Sequence, residues 1–289
     1  MANIREARPT TRLPEPIELG KLPWWAFIIV ASGFILIYLI LANVSYHETF
    51  TYLQAGIKTT LRITLTAFPI ATVIGLFAGL ARTSKKGIAF TIATLYVEVI
   101  RGIPLVVLML YFAFGIVPVL VELTKGVAAW GLTWAANATL VNLFTTLSDP
   151  NLIRKIPDEM RATLALAIGY GAYEAEVFRE GIQSIGKGQM EAARSLGMNY
   201  FQCMRLIILP QAIRRVLPPL GNDFIALLKD SSLATVLAVN ELTQMGRLRR
   251  SSTFRVMETF NVVAFLYLAM TLLLSAVVRV MERRLRIEE

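Results

Sequence analysis

The sequence predicts an all-α, polytopic membrane helical bundle of about six spans, each near the length that crosses a hydrocarbon core. Three observations carry that prediction. The 289 residues are 55% hydrophobic and only 17% charged, with a mean hydropathy of +0.58, whereas soluble domains average about 25% charged residues. Four uncharged runs each reach the roughly 20 residues needed for a crossing. Basic residues gather at the ends of these runs, as they do beside membrane spans. That bias, together with anionic lipid headgroups, accounts for the net charge of +9 without nucleic acid. One cysteine (Cys203) and one histidine (His47) exclude a disulfide framework and a Cys- or His-rich metal site.

Taken in order, residues 1–23 read as a cytoplasmic tail. Trp24 to Ala42 is the first run. It exceeds the apolar core of a signal peptide, about 7–15 residues, and no small-x-small cleavage site follows, so it is a retained helix. Trp24 and Trp25 anchor it at the interface. Ile63 to Ala81 is the second run, between Arg62 and Arg82. Ile88 to Arg101 forms a short cytoplasmic-side helix. Pro104 disfavours helix at Ile103 and lacks a backbone donor, so the chain bends at Arg101-Gly102-Ile103-Pro104 before the third span, Gly102 to Val121. Ala162 to Ile182 and Leu206 to Val239 read as polar, broken spans. Thr259 to Val278 is the last crossing, followed by a cytoplasmic tail at 283–289.

The low-charge stretch Gly126 to Ser148 competes as a seventh span, but parity argues against it. Arg82, Lys85 and Lys86, then Lys187, Arg194, Arg205, Arg214 and Arg215, then Arg279, Arg283, Arg284 and Arg286 share one side only if it does not cross. It therefore reads as an external interfacial or re-entrant segment, with both termini cytoplasmic by the positive-inside rule. Arg247, Arg249, Arg250 and Arg255 then lie outside, against that rule.

Glu191 to Pro210 is the most specific stretch. It runs Glu191-Ala192-Ala193, Gly197 four residues later, then Ile207, a spacer, Leu209 and Pro210. Gln189 to Leu196 reads as a short helix with Ala192 and Ala193 as strong formers. Gly197 closes it in a left-handed conformation. Asn199 opens the next helix with Gln202 in capping-box spacing. The product is helix, tight turn, helix: a rigid knob whose small alanines allow close approach. A glycine-ended helix alone occurs in any protein, and the whole spaced pattern between spans on the basic side is what gives it meaning.

That pattern resembles the EAA signature of permease subunits of ATP-binding-cassette importers. Arg101-Gly102-Ile103-Pro104-Leu105 is similar to an Arg-Gly-Thr-Pro-Leu element of polar amino acid permeases, with Ile103 where Thr is usual. Ala172-Tyr173-Glu174-Ala175-Glu176, the run from Gly181 to Gln189, Leu209 to Ala212, Leu217 to Leu220 and Leu227 to Leu233 continue the likeness, which covers about Thr59 to Glu282. The resemblance implies a type I importer permease with a five-span core at 59–282. Its cytoplasmic elbow lies at 184–210, and Trp24 to Ala42 is an added helix. It implies ATPase coupling through Glu191, Ala192, Ala193 and Gly197. The implied partners are a cytoplasmic ATPase dimer that binds ATP and Mg, a second permease copy or a paralogue, and an extracytoplasmic amino-acid-binding protein. The substrate would be a polar amino acid of the histidine, glutamine, glutamate or arginine kind, and the location the bacterial cytoplasmic (inner) membrane. The chain itself holds no cofactor and is not catalytic. Lys187 lacks the glycine spacing and following Ser or Thr of a phosphate-binding loop.

A pathway for amino acids needs groups of both signs facing a cavity. Candidates are Glu174, Glu176, Arg101, Asn222, Asp223, Lys229 and Asp230. Glu174 and Glu176 point about 200° apart on a helix, and share a face only if Gly169 and Gly171 break it. The family pattern favours Glu176. Each candidate has a structural reading as well. Glu176 and Arg179 are spaced as a helix-surface pair, Lys229 and Asp230 as mutual neutralisers, and Arg101 as a snorkelling cation. The alternative function is an autonomous secondary transporter, whose inverted repeat is not evident. A membrane enzyme would need a base, nucleophile or metal constellation that is missing.

Overall fold

The structure is a computed structural model and describes residues 24–84, 87–134 and 137–285. Expectations for residues 1–23, Lys85, Lys86 and 286–289 lie outside the described residues. Every regular element among those described is helical: α1 (Trp24–Ala42), α2 (Val44–Thr83), α3 (Ile88–Gly102), α4 (Leu105–Tyr111), α5 (Val117–Leu132), α6 (Ala138–Leu147), α7 (Leu152–Lys155), α8 (Asp158–Gln183), α9 (Lys187–Ser195), α10 (Tyr200–Cys203), α11 (Leu209–Asp230), α12 (Leu242–Thr253) and α13 (Val256–Leu285). Three helical stretches, Val44–Thr83, Leu105–Leu132 and Val256–Arg284, are long and apolar enough by themselves to cross a membrane. The first apolar run falls on α1, with the expected ends.

Several boundaries differ from the expectations. The second run is only the last half of α2, a helix of 40 residues and so about 60 Å long. Arg62 does not end it, because its exposed guanidinium pairs with Glu159 at 3.3 Å. The bend at Ile103 and Pro104 is present. The third span, however, begins at Leu105 and continues through a π turn at Phe112–Ile116 to Leu132. Glu122 and Lys125 pair at 2.7 Å on its surface, so charge does not stop it. Gly126 to Ser148 is therefore not one segment. Its residues up to Leu132 belong to α5, and Ala138–Leu147 form α6, which at ten residues spans about 15 Å and is too short to cross.

Neither polar span is broken in the expected way. α8 runs unbroken through Gly169 and Gly171. Both glycines serve packing instead: a Cβ at Gly169 would meet Leu105 at 2.4 Å, and one at Gly171 would meet Ile74 and Tyr96 at 2.9 Å. α11 keeps Pro218 and Pro219 inside a continuous helix. The carbonyls these prolines leave unbonded belong to Arg214 and Arg215, which are exposed and can be solvated. The break comes later, in a 3-10 turn at Ser231–Leu237 that ends on a left-handed Ala238.

The centre of the bundle is the pair α2 and α8. Ala67, Ala71, Gly75 and Gly79 recur every four residues along α2 and are buried. A Cβ at Gly75 would stand 2.7 Å from the Glu174 Cβ, and one at Gly79 would stand 2.7 Å from the Ala175 carbonyl oxygen. Such small residues let two membrane helices approach closely. The helices run parallel, with Arg62 beside Glu159 at one end and Arg82 beside Glu176 at the other. α11 runs antiparallel to α8, with Asp230 against Tyr170 and Val216 against Gly181.

The two ends of the molecule differ. At one, α2 and α8 finish beside α9 and α10, around a hollow of about 440 Å³ lined by Thr83, Ile182, Tyr200 and Met204. At the other, α12 packs on the first half of α2. Glu241 caps α12, accepting from the backbone nitrogens of Thr243 at 2.8 Å and Gln244 at 2.7 Å and from the Tyr267 hydroxyl at 2.9 Å. Arg249 pairs with Glu48 at 3.0 Å and lies over the Tyr52 ring. Tyr52 and Thr83 are separated by about 45 Å of helix. α12 and the elbow thus sit at opposite ends.

Candidate functional site

The knob forms from local interactions that its sequence specifies. α9 begins at Lys187, two residues before the expected start, and closes at Gly197 with φ +81°. The Met198 nitrogen donates to the Ala193 carbonyl at 3.2 Å and the Gly197 nitrogen to that of Arg194 at 2.9 Å, the paired bonds of a Schellman cap. Asn199 and Gln202 form a reciprocal capping box, with both bonds at 2.9 Å. α10 then passes through a π turn at Met204–Ile208 into α11. Behind the knob, Ile185, Ile208 and Ala212 form an apolar cluster with Met190 and Met204.

The two alanines part company. Ala193 is buried against its own chain, whereas Glu191, Ala192 and Gly197 are exposed. Only Ala192 offers a small surface to another protein. Beside it stand large apolar side chains that motif reading did not single out: Leu196 is 83% exposed, Phe201 70% and Tyr200 58%. Rigid exposed aromatic and aliphatic groups on a protruding turn are what a protein partner buries. The signal in the sequence was their apolar character within an otherwise polar elbow.

The charged candidates divide into two groups. Glu176 is held by two guanidinium groups, Arg82 at 2.8 Å and Arg179 one turn along α8. Arg82 also reaches Glu98 of α3 at 3.1 Å. This network ties α2, α3 and α8 together near the elbow. The pairing with Arg179 is the helix-surface pair expected as the structural reading, joined by Arg82. Arg101 lies over the Tyr173 ring with 5.6 Å to the centroid.

The second group lies between α8 and α11. Tyr170 and Glu174 are four apart on α8, and Asp223 and Asp230 seven apart on α11, so each pair shares a face. The Tyr170 hydroxyl donates to Asp230 at 2.8 Å. Glu174 is wholly buried with both carboxylate oxygens unpartnered, and Asp223 Oδ2 is likewise buried and unpartnered. Asn222 and Lys229 occupy a neighbouring, exposed stripe of α11. The expected Lys229–Asp230 neutralisation is not made: among the described residues no ion pair joins them. Glu174 and Glu176 do not share a face, because α8 is continuous. Among the described residues no cluster of His, Cys, Asp and Glu is suited to a metal ion.

Residues 71–287 match the family described as binding-protein-dependent transport system inner membrane component. The chain is 38% identical over 232 residues to the glutamine transport system permease protein GlnP of Escherichia coli (strain K12), covering 80% of this chain and 92% of that one. It is 34% identical over 234 residues to the L-cystine transport system permease protein TcyB of Bacillus subtilis (strain 168), covering 81% and 86%. Among solved structures, an amino acid ABC transporter crystallised with histidines superposes with a TM-score of 0.64 at 34% identity, over 85% of this chain and 98% of that one. The MetNI methionine ABC transporter superposes with a TM-score of 0.61 at 18% identity, over 81% and 96%, a likeness of fold.

Proposed function

This chain belongs to the family of binding-protein-dependent transport system inner membrane components, and from that premise we propose that it forms the translocation pathway of an ATP-driven importer for polar amino acids. It is a permease subunit, embedded in the bacterial inner membrane and working with an ATPase and a substrate-binding protein. The reported relatives are permease subunits of amino-acid transport systems, and none supports an autonomous secondary transporter. The observation that carries the coupling is the folded elbow. A Schellman-capped helix and a boxed second helix hold Glu191, Ala192, Leu196, Tyr200 and Phe201 outward, at the end where α2 and α8 finish.

In this reading ATP and Mg bind to an ATPase dimer, and hydrolysis takes place there. Each elbow seats on one ATPase subunit, and a second copy of this chain or a paralogue completes the pathway. The termini and the elbow face the cytoplasm. The substrate, a polar amino acid delivered from outside by the binding protein, passes the charged interior between α8 and α11. Movement of the elbow reaches that interior directly, because α8 runs into α9 and α10 runs through the π turn into α11. Reconstitution of the permease with its ATPase and binding protein in vesicles tests the proposal. Uptake is expected to require ATP and the binding protein together. Uptake driven by an ion gradient without ATP would overturn it.

A further inference from the structure

A cleft of about 420 Å³ opens between α2 and α8, at the end of the pair away from the elbow. Its walls are Ile70, Pro157, Met160 and Leu164, with Thr66 and Thr163 among them. Both threonine hydroxyls have already spent their one proton. Thr66 donates to the Arg62 carbonyl and Thr163 to the Glu159 carbonyl, each at 2.7 Å. The walls offer a ligand no donor, so they suit a hydrocarbon chain and not a polar amino acid.

Charge is confined to the rim, where Arg62 and Glu159 line the cleft with side chains 53% and 29% exposed. Only Nη1 of Arg62 reaches the carboxylate, at 3.3 and 3.4 Å to its two oxygens. Among the described residues the other guanidinium nitrogens of Arg62 have no protein acceptor. α8 starts at the same rim without a side-chain cap, so its first backbone N–H groups add positive potential there. The step from Arg62 to Arg82 covers about 30 Å of helix, the thickness of a hydrocarbon core. The rim therefore lies at headgroup depth. Thr66 and Ile70 follow one and two turns deeper on α2, and Thr163 one turn deeper than Glu159 on α8, which sets the apolar walls beside acyl chains.

We propose that this cleft binds one phospholipid whose headgroup carries both a phosphate and a primary ammonium, as phosphatidylethanolamine does. Arg62 and the start of α8 hold the phosphate, Glu159 accepts from the ammonium, and an acyl chain lies along Ile70, Met160 and Leu164. Such a headgroup satisfies both members of the pair at once. An anionic headgroup without an ammonium sets its charge against Glu159. A fully methylated ammonium keeps its charge but has no N–H to donate. The proposal uses the membrane placement alone and stands apart from substrate choice and coupling.

The purified permease–ATPase complex, stripped of lipid in detergent, is titrated with phosphatidylethanolamine, phosphatidylglycerol and phosphatidylcholine of identical acyl chains, and bound lipid is counted by native mass spectrometry. Phosphatidylethanolamine is expected to bind about three- to tenfold more tightly than the other two, the order of ion pairs that stay partly exposed. Glu159→Gln is expected to bring phosphatidylethanolamine down to the level of phosphatidylglycerol, and Arg62→Gln to weaken all three. Phosphatidylglycerol or phosphatidylcholine binding as tightly to the unaltered complex would overturn the proposal, as would an unchanged preference in Glu159→Gln. Retention of no lipid, the result if a second copy of this chain covers the cleft, would also overturn it. If a variant does not assemble, the comparison of headgroups on the unaltered complex decides. Should no ATPase co-purify, the permease alone is titrated in the same way, and that absence strikes the permease reading and not this one.

Discussion

Gly197 shows how much of the elbow rests on one backbone angle. Its φ of +81° is one that side-chain-bearing residues avoid, and a Cβ there would meet nothing within 4 Å. The cost of substitution is therefore conformational, about 1–3 kcal/mol for a β-branched residue. The Schellman bonds from Gly197 and Met198 depend on that angle. Gly197→Val is expected to insert normally and to recover less ATPase on affinity purification, with uptake falling in proportion. Gly197→Asn, which tolerates the left-handed region, should retain most of both. Equal ATPase recovery and uptake in the valine variant would show that the turn is not needed for coupling.

At the scale of elements, α2 and α8 are held by small residues rather than by large apolar ones. The row Ala67, Ala71, Gly75 and Gly79 brings the two helices close enough that Gly79 leaves no room beside the Ala175 carbonyl. That oxygen belongs to the backbone and cannot rotate away. Gly79→Ala is expected to lower the thermal stability of the detergent-purified protein, by about 1–3 kcal/mol for an overpacked contact. Gly33→Ala on α1, where nothing lies within 4 Å, serves as the control and should be silent. Equal melting of both variants would mean that α2 and α8 are less tightly engaged than their geometry indicates. α1 differs in kind from the others. Ile40 is its one buried residue among those with described side chains, and it packs with Leu53, Leu242 and Val262. The family match begins at residue 71, beyond α1 and within α2.

At the scale of the whole molecule, the elbow and α12 lie at opposite ends, which gives the topology a direct test. Cys203 is buried, so the unaltered chain contributes little to labelling. Leu196 on the elbow is 83% exposed, and Phe254, which caps α12 in a left-handed conformation, is 86% exposed. A Leu196→Cys variant is expected to react with a membrane-impermeant maleimide only in inverted vesicles, and a Phe254→Cys variant only in right-side-out vesicles. Labelling of both from the same side would rule out the assigned orientation. In the proposed orientation Arg247 and Arg249 would sit against the positive-inside rule. Arg249 is neutralised by Glu48 and covers Tyr52, and Arg247 is tied to Thr235 at 3.2 Å, so these two are engaged in fixing α12.

What the sequence determined by itself is what short-range chemistry and hydrocarbon thickness decide. Apolar runs placed α1 and α13, Pro104 placed the bend before α4, and the elbow's glycine cap and capping box were legible because each closes within a few residues. Charge and breaker residues misled where packing overrode them. Arg62 did not end α2, because Glu159 lies opposite it. Gly169 and Gly171 did not break α8, because Leu105, Ile74 and Tyr96 fill the space they leave. Only the tertiary structure decided which acid is satisfied. The two-residue spacing of Glu174 and Glu176 fixed their divergence around the helix, but not what faces each. Arg82, from a helix more than ninety residues earlier in the chain, took Glu176, and Asp223 and Gly75 came to stand near Glu174. Side-chain direction follows from the helical repeat, a local property. The partner across the gap follows from the register in which helices pack, which the small residues of α2 and α8 set over the length of the bundle.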